Sequence, residues 1–467
     1  MRTPLFPITV PRRRWSGYLC ACLPSFVANL ATPREDRPLR VVHPTSYLDG
    51  LRGLAAVAVF LYHFTDYNHK YFLPAWGVEG SSPLQLPYVR VIYSGIPMVH
   101  IFFVISGFAL SCRPLKELHS RNVELCHALL ASSIFRRPIR LFVPCLVLTF
   151  INAILCQLGF LHNYLKPKPT LWAQIADWAS DAFRAITWPW AWDSLDRPRY
   201  NVHLWTIPVE FAHSMLLFLF LLLLSKFRFS MRSLVTAAFM LYSLYCGKWA
   251  AFEFLGGAFL ADLHLLQARA SHVPKRSSRV TKILLGILQA AVLLAAGWIV
   301  SWPPNPSDIT PSYAYLRSMA PSLFQEKKNQ EAFWFSVSAF AVVWTSGSVS
   351  LIRRALESPV SQYLGRISFA LYILQHPLLN LVMYQLHGSP AEFKEDGQLL
   401  SAGSGLKGWI GVDTASQKML CWFLGLVVIG SLLVWAADVF TRAVDTPCVK
   451  AARRLEAIVC IDEDVKA

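Results

Sequence analysis

Ten apolar runs, separated by polar, Pro-rich or basic stretches, give the chain its rhythm. They lie near residues 46–66, 94–112, 140–160, 205–225, 233–247, 249–266, 283–302, 332–349, 367–387 and 419–440. Most match the roughly 17 to 22 residues that a helix needs to cross a hydrocarbon core, and several are tight. The pattern predicts an all-α polytopic membrane protein with about ten transmembrane helices. Residues 1–45 read as a polar, Pro- and Arg-rich lead expected to be poorly ordered, residues 46–450 as one membrane domain, and residues 451–467 as a tail. The apolar piece at 15–31 is short and broken by Pro24, so it is expected at a surface rather than across a bilayer.

The first run departs from uniform apolarity. It carries Asp49 and Arg52 at one end and His63 near the other, residues that are costly in lipid and therefore point to a functional site. Arg52 and His63 are eleven positions apart, which at about 100° per residue returns to within roughly 20° of the starting direction. Both side chains thus share one helix face, roughly 16 Å apart along its axis. Asp49, three residues before Arg52, is placed to pair with it or to cap the helix.

Composition agrees with lipid as the solvent: of 467 residues, 54% are hydrophobic and only 15% charged. The net charge of +16 does not indicate nucleic acid, because the Lys and Arg residues sit in short clusters between apolar runs. Sorted by side of the membrane, 29 of the 44 fall with the two termini and 14 opposite, Arg52 completing the set. That bias places both termini in the cytoplasm. The ten cysteines, several inside apolar runs (Cys112, Cys145, Cys156, Cys246, Cys421), form no CxxC pair and support neither a disulfide framework nor a zinc or other metal site.

With this orientation His63, His100, His203 and Glu210 fall in the non-cytoplasmic half, and Arg52 with the run Arg136, Arg137 and Arg140 on the cytoplasmic side. Each has a bland reading. Arg52 is also a suitable positive-inside anchor, and His63 an interfacial histidine. Glu210 stands in the first turn of its helix, where a carboxylate is favoured by the dipole whatever its function. Ser106-Gly107 is a suitable close-packing point between helices. Pro377 frees a backbone carbonyl and predicts a kink. The long loop between the third and fourth runs gathers Trp172, Trp178, Trp188, Trp190 and Trp192, either an interfacial belt or an amphipathic platform for an acceptor.

Several stretches together resemble a known family. Tyr47-Leu-Asp-Gly-Leu-Arg-Gly-Leu-Ala55 followed by His63 resembles the opening signature of the acyltransferase 3 family of integral-membrane O-acyltransferases. Phe102-Phe-Val-Ile-Ser-Gly-Phe108, Arg136-Arg-Pro-Ile-Arg-Leu-Phe-Val-Pro144, Leu204-Trp-Thr-Ile-Pro-Val-Glu-Phe211 and Ile367-Ser-Phe-Ala-Leu-Tyr-Ile-Leu374 with His376-Pro377 follow in the family's order. The wording is nearest to fungal members. The resemblance implies transfer of an acyl group, acetyl foremost, from acyl-CoA as donor substrate, with no bound cofactor, to a hydroxyl of a glycan, terpenoid or other secondary metabolite. It also implies a multi-pass enzyme of the endoplasmic reticulum, Golgi or plasma membrane, whose partners are the bilayer, acyl-CoA and the acceptor.

The chemistry assigns roles to match. Neutral imidazole titrates near pH 7, so His63 is the expected general base for the acceptor hydroxyl. Arg52 keeps its charge and serves as anchor for the donor or the developing oxyanion. Glu210 is expected to orient His63, while Arg136, Arg137, Arg140, Ser106 and His203 are expected to contact substrates. The late motif departs from the family, since Gln375 stands where members often carry His and His376 abuts Pro377, which weakens a role for His376. Asp445-Thr-Pro447 likewise stands where Glu and Pro are common. The rival reading is a polytopic transporter of a small molecule or lipid, although no internal repeat or paired broken helix supports it.

Overall fold

The computed structural model describes residues 23–25, 27, 43–77, 81–161, 165–187, 196–270, 279–304, 311–326, 328–387, 392–393, 399–401 and 405–460. A helix stands at each of the ten apolar runs: α1 (Ser46–Asn68), α2 (Gly95–His119), α3 (Val123–Gln157), α5 (Thr206–Leu223), α6 (Phe229–Tyr245), α7 (Trp249–Ala270), α8 (Arg279–Val300), α9 (Gln330–Ser346), α11 (Pro359–His387) and α13 (Ala415–Phe440). Between and after them lie α4 (Leu171–Asp181), α10 (Ser350–Leu356), α12 (Leu406–Ile410) and α14 (Thr446–Val459). A small antiparallel ribbon pairs Glu392–Phe393 with Leu399–Ser401. Among the described residues six helices are long and apolar enough to cross a membrane, and a seventh if α9 and α10, bent by 92°, form one broken span. Of the rest, α6 has 17 residues, and α1 interrupts its apolar length with Asp49, Arg52 and His63.

Two contacts without side-chain bulk set the packing. A methyl group added at Gly53 of α1 would overlap the backbone of Gly365 in α11, and one at Gly365 would overlap Asp49. The glycines beside Arg52 are therefore what lets α1 lie directly on α11. Gly107 of α2 and Gly257 of α7 are related in the same way, each facing the other helix's backbone, so the close packing expected at Ser106-Gly107 is present. Below this seam Arg232 of α6 grips Asp262 of α7 through Nε (3.0 Å) and Nη2 (2.8 Å), and His119 of α2 reaches the same carboxylate at 2.7 Å.

Two local features differ from the sequence pattern, and a third follows it. Helix α3 starts seventeen residues before the apolar run it was expected to follow, because Asn122 caps it by accepting from the Leu125 N–H at 3.1 Å. Arg136, Arg137 and Arg140 consequently lie on a continuous helix rather than in a loop. Part of the expected tryptophan loop is the helix α4, where Trp172 is exposed and Trp178 donates to Thr149 Oγ1 at 3.1 Å; Trp188, Trp190 and Trp192 lie outside the described residues. Finally, α11 runs on through Pro377, and the carbonyl of Ile373, which the proline leaves without its helical donor, accepts from Asn201 Nδ2 at 2.8 Å.

Candidate active site

Arg52 and His63, on one helix, open into two different cavities. The larger, about 550 Å³, is lined by His63 and Asp66 of α1, Val99 and His100 of α2, His203, Trp205 and Tyr372 among others. The smaller, about 260 Å³, is lined by Arg52, Ser106, Arg137, Arg140, Glu210, Arg366, Asp445 and Tyr372 among others. The one continuous helix thus carries a cation at one cavity and an imidazole at the other.

The histidine cavity is assembled by the bond from Asn201 to Ile373. It fixes the short turn Val202–Trp205 against α11, and Tyr372 adds a second tie by donating to the His203 carbonyl at 2.9 Å. The His203 ring is thereby laid on that of His63, with centroids 3.7 Å apart and planes 23° off parallel. His376 meets His203 edge to face at 4.7 Å. His203 Nδ1 is buried with no hydrogen-bond partner among the described residues. Proline and histidine act together here, since Pro377 frees the carbonyl that brings His203 up to His376.

The same cavity holds a third imidazole. His100 lies on its wall, its Nδ1 2.5 Å from Glu253 Oε1, which also accepts from Ser336 Oγ at 2.6 Å. Glu253 is completely buried. A carboxylate behind a histidine fixes its tautomer and ring orientation, leaving Nε2 to act on the cavity.

In the smaller cavity Arg52 donates through Nε to Ser368 Oγ (3.0 Å) and through Nη2 to the Gly365 carbonyl (2.9 Å), and Asp49 Oδ1 lies 3.2 Å away. Both the expected ion pair and a grip on α11 are present. Glu210 is tied to Arg137 Nη2 at 2.6 Å and to Ser106 Oγ at 3.1 Å. It lines the arginine cavity and not that of His63, so it does not orient His63 as the sequence suggested. The reason is Arg137, which the extension of α3 carries alongside α5, where it also donates to Ser214 at 3.1 Å. Arg136 faces away to Glu456 of α14 at 3.3 Å. Of the expected basic trio, Arg140 is the one left exposed on the cavity wall, joined there by Arg366.

Sequence reasoning missed Tyr372, Asn201, Glu253, Ser368 and Arg366. Tyr372 and Ser368 fall inside the late motif, and the proline after His376 was the available signal for Asn201, since a freed carbonyl needs a donor.

Comparison with known proteins agrees with the motifs. The profile of the acyltransferase 3 family, an acyltransferase domain, matches residues 45–439. The chain is 28% identical to O-acetyltransferase PaAT-1 of Phomopsis amygdali, over 95% of this chain and 89% of that protein. It is 25% identical to acyltransferase R4 of a Phoma species, over 90% of this chain and 97% of the other. It is 24% identical to acyltransferase clz18 of Cochliobolus lunatus, over 88% and 95%. No solved structure matches.

Proposed function

From the premise that this chain belongs to the acyltransferase 3 family and is a membrane enzyme that transfers acyl groups, we propose that it moves an acyl group, acetyl foremost, from coenzyme A to a hydroxyl of a glycan, terpenoid or other secondary metabolite. The observation that carries this reading is the pair of cavities on α1, one presenting Arg52, Arg140 and Arg366 and the other imidazoles beside Arg197, with Val99 and Tyr372 lining both. Coenzyme phosphates are attracted to the side of Arg140 and Arg366, since Arg52 is paired with Asp49, Arg137 with Glu210 and Arg136 with Glu456. The acceptor enters the histidine cavity.

In the step itself His63 takes the proton of the acceptor hydroxyl while its oxygen attacks the thioester carbonyl. The oxygen–acyl bond forms, the carbon–sulfur bond breaks, and the coenzyme thiolate receives the proton that imidazole held. His203, stacked on His63, fixes the plane of the base and supplies a polar contact to the acceptor. Arg52 stabilises negative charge on the donor side.

The reading extends to ten spans with both termini in the cytoplasm, supported by a helix at each apolar run and by the 29 to 14 division of basic residues. The arginine cavity then faces the cytosolic coenzyme, and the acceptor side faces the lumen of an endomembrane or the cell exterior. Comparing small molecules of a deletion strain with those of its parent tests the function. One compound lacking an acyl group, restored by membranes of the complemented strain with release of free coenzyme A, is the expected result; an unchanged acylation profile overturns it.

A further inference from the structure

Among the described residues, two side chains line both the arginine and the histidine cavity: Val99 of α2 and Tyr372 of α11. Tyr372 is held rigidly across this junction. Its hydroxyl donates to the His203 carbonyl at 2.9 Å and accepts from Thr206 Oγ1 at 2.9 Å, and its ring is buried with that of Phe102 at 6.0 Å. Swinging the ring aside would break two buried hydrogen bonds. Val99 on the other side is β-branched and stiff about χ1 in a helix. On the donor side the wall continues as Phe102, Phe103, Ile207 and Phe369, apolar groups suited to the carbon chain of a thioester rather than to phosphate.

We propose that Val99 and Tyr372 form a collar that receives the acyl group of the donor and limits its length, so that a two-carbon acyl fits and longer chains are refused. This rests on reading the arginine cavity as the donor's. The thioester carbonyl must come within reach of an acceptor oxygen on the far side, with coenzyme behind it. The acyl carbons therefore occupy the junction itself, and each further methylene has to displace a side chain that is either bonded at its tip or locked by branching. A missing or extra methylene in such an apolar site changes selectivity by about 10- to 200-fold.

The test uses the full-length enzyme in membranes, the small-molecule extract of the deletion strain as acceptor, and acetyl-, butanoyl- or hexanoyl-CoA as donor, with product mass reporting the chain transferred. Wild type should favour acetyl over butanoyl by at least about tenfold. Val99→Ala should raise the butanoyl-to-acetyl ratio by at least about tenfold, and Tyr372→Phe, which keeps the ring but frees its tip, should raise it by less. Ratios are insensitive to how much protein reaches the membrane. Wild type using butanoyl-CoA as well as acetyl-CoA, or both variants keeping the wild-type ratio, overturns the collar while leaving acyl transfer intact. Wild type transferring no acyl group from any donor overturns the underlying functional reading instead.

Discussion

His63 and His203 lie ring on ring, with centroids 3.7 Å apart and planes 23° off parallel, although one belongs to α1 and the other to the turn that opens α5. The stack depends on α11, to which Asn201 and Tyr372 both tie the His203 turn. The imidazole pair is thus a three-helix construction.

Asn201 is therefore expected to matter beyond its size. Asn201→Ala removes the donor to the Ile373 carbonyl and leaves a buried acceptor unpaired, which costs about 1 to 3 kcal/mol. The thermal-unfolding midpoint in detergent should fall, and acyl transfer should fall further than the loss of folded protein explains, because His203 is released from His63. Asn201→Leu, of similar size but without an N–H donor, should behave like the Ala variant. A wild-type midpoint and rate in Asn201→Leu would show that the anchor is dispensable.

What the sequence makes legible follows from periodicity and local spacing. All ten apolar runs carry helices, Arg52 and His63 lie on one of them, and Gly107 does mark a close approach. What it hides depends on which helices adjoin. Glu210 was expected beside His63 because both fall in one membrane half, yet its partner is Arg137, brought near because α3, capped by Asn122, begins at Val123 rather than at the apolar run. Glu253 sits in an apolar stretch and gains meaning only when α7 lies against His100. His376 was weakened by its displacement in the motif, but one position's shift in a helix turns a side chain by about 100°, and here that turn brings it to His203.

Arg52→Lys separates charge from shape. Arg52 uses Nε for Ser368 and Nη2 for Gly365 while remaining beside Asp49, and a single ammonium cannot reproduce that fork. The Lys variant should reach the membrane in normal amount but require more acyl-CoA for half-maximal rate or lose turnover altogether. Titrating acyl-CoA at fixed acceptor extract checks this. An unaltered donor dependence would reduce Arg52 to an anchor of membrane orientation.

Lys407, on the short helix α12, gives a pH signature. Its buried ammonium donates to the Asn68 carbonyl and side-chain oxygen at the end of α1, and burial pushes its pKa down from 10.5 to about 8. Between those values the unfolded chain holds more protons than the folded one, so stability rises with pH across that window and the cost of burying the charge is fully present below it. The unfolding midpoint of wild type should therefore gain on that of Lys407→Met as pH is raised from about 7.5 to about 10. A difference between the two proteins that stays flat over that range would mean the ammonium is not under strain from burial.

His63, as the base, should show the largest loss on substitution. Removing a positioned general base typically lowers a rate by about two to four orders of magnitude, so His63→Gln should lose at least about a hundredfold in acyl transfer. Gln keeps a polar side chain of similar reach but accepts no proton near neutral pH. Initial rates should be measured in membranes matched for protein by immunoblot, since a polar residue within the bundle also contributes to packing. His203→Gln should fall between His63→Gln and wild type, because His203 holds the plane of the base, and His376→Gln, one ring further away, should be affected least. If His63→Gln folds and keeps a near-normal rate, the base is elsewhere in the cavity, and His100 takes its place as the histidine there with a carboxylate, Glu253, directly behind it. His100→Gln would then carry the large loss that His63→Gln failed to show.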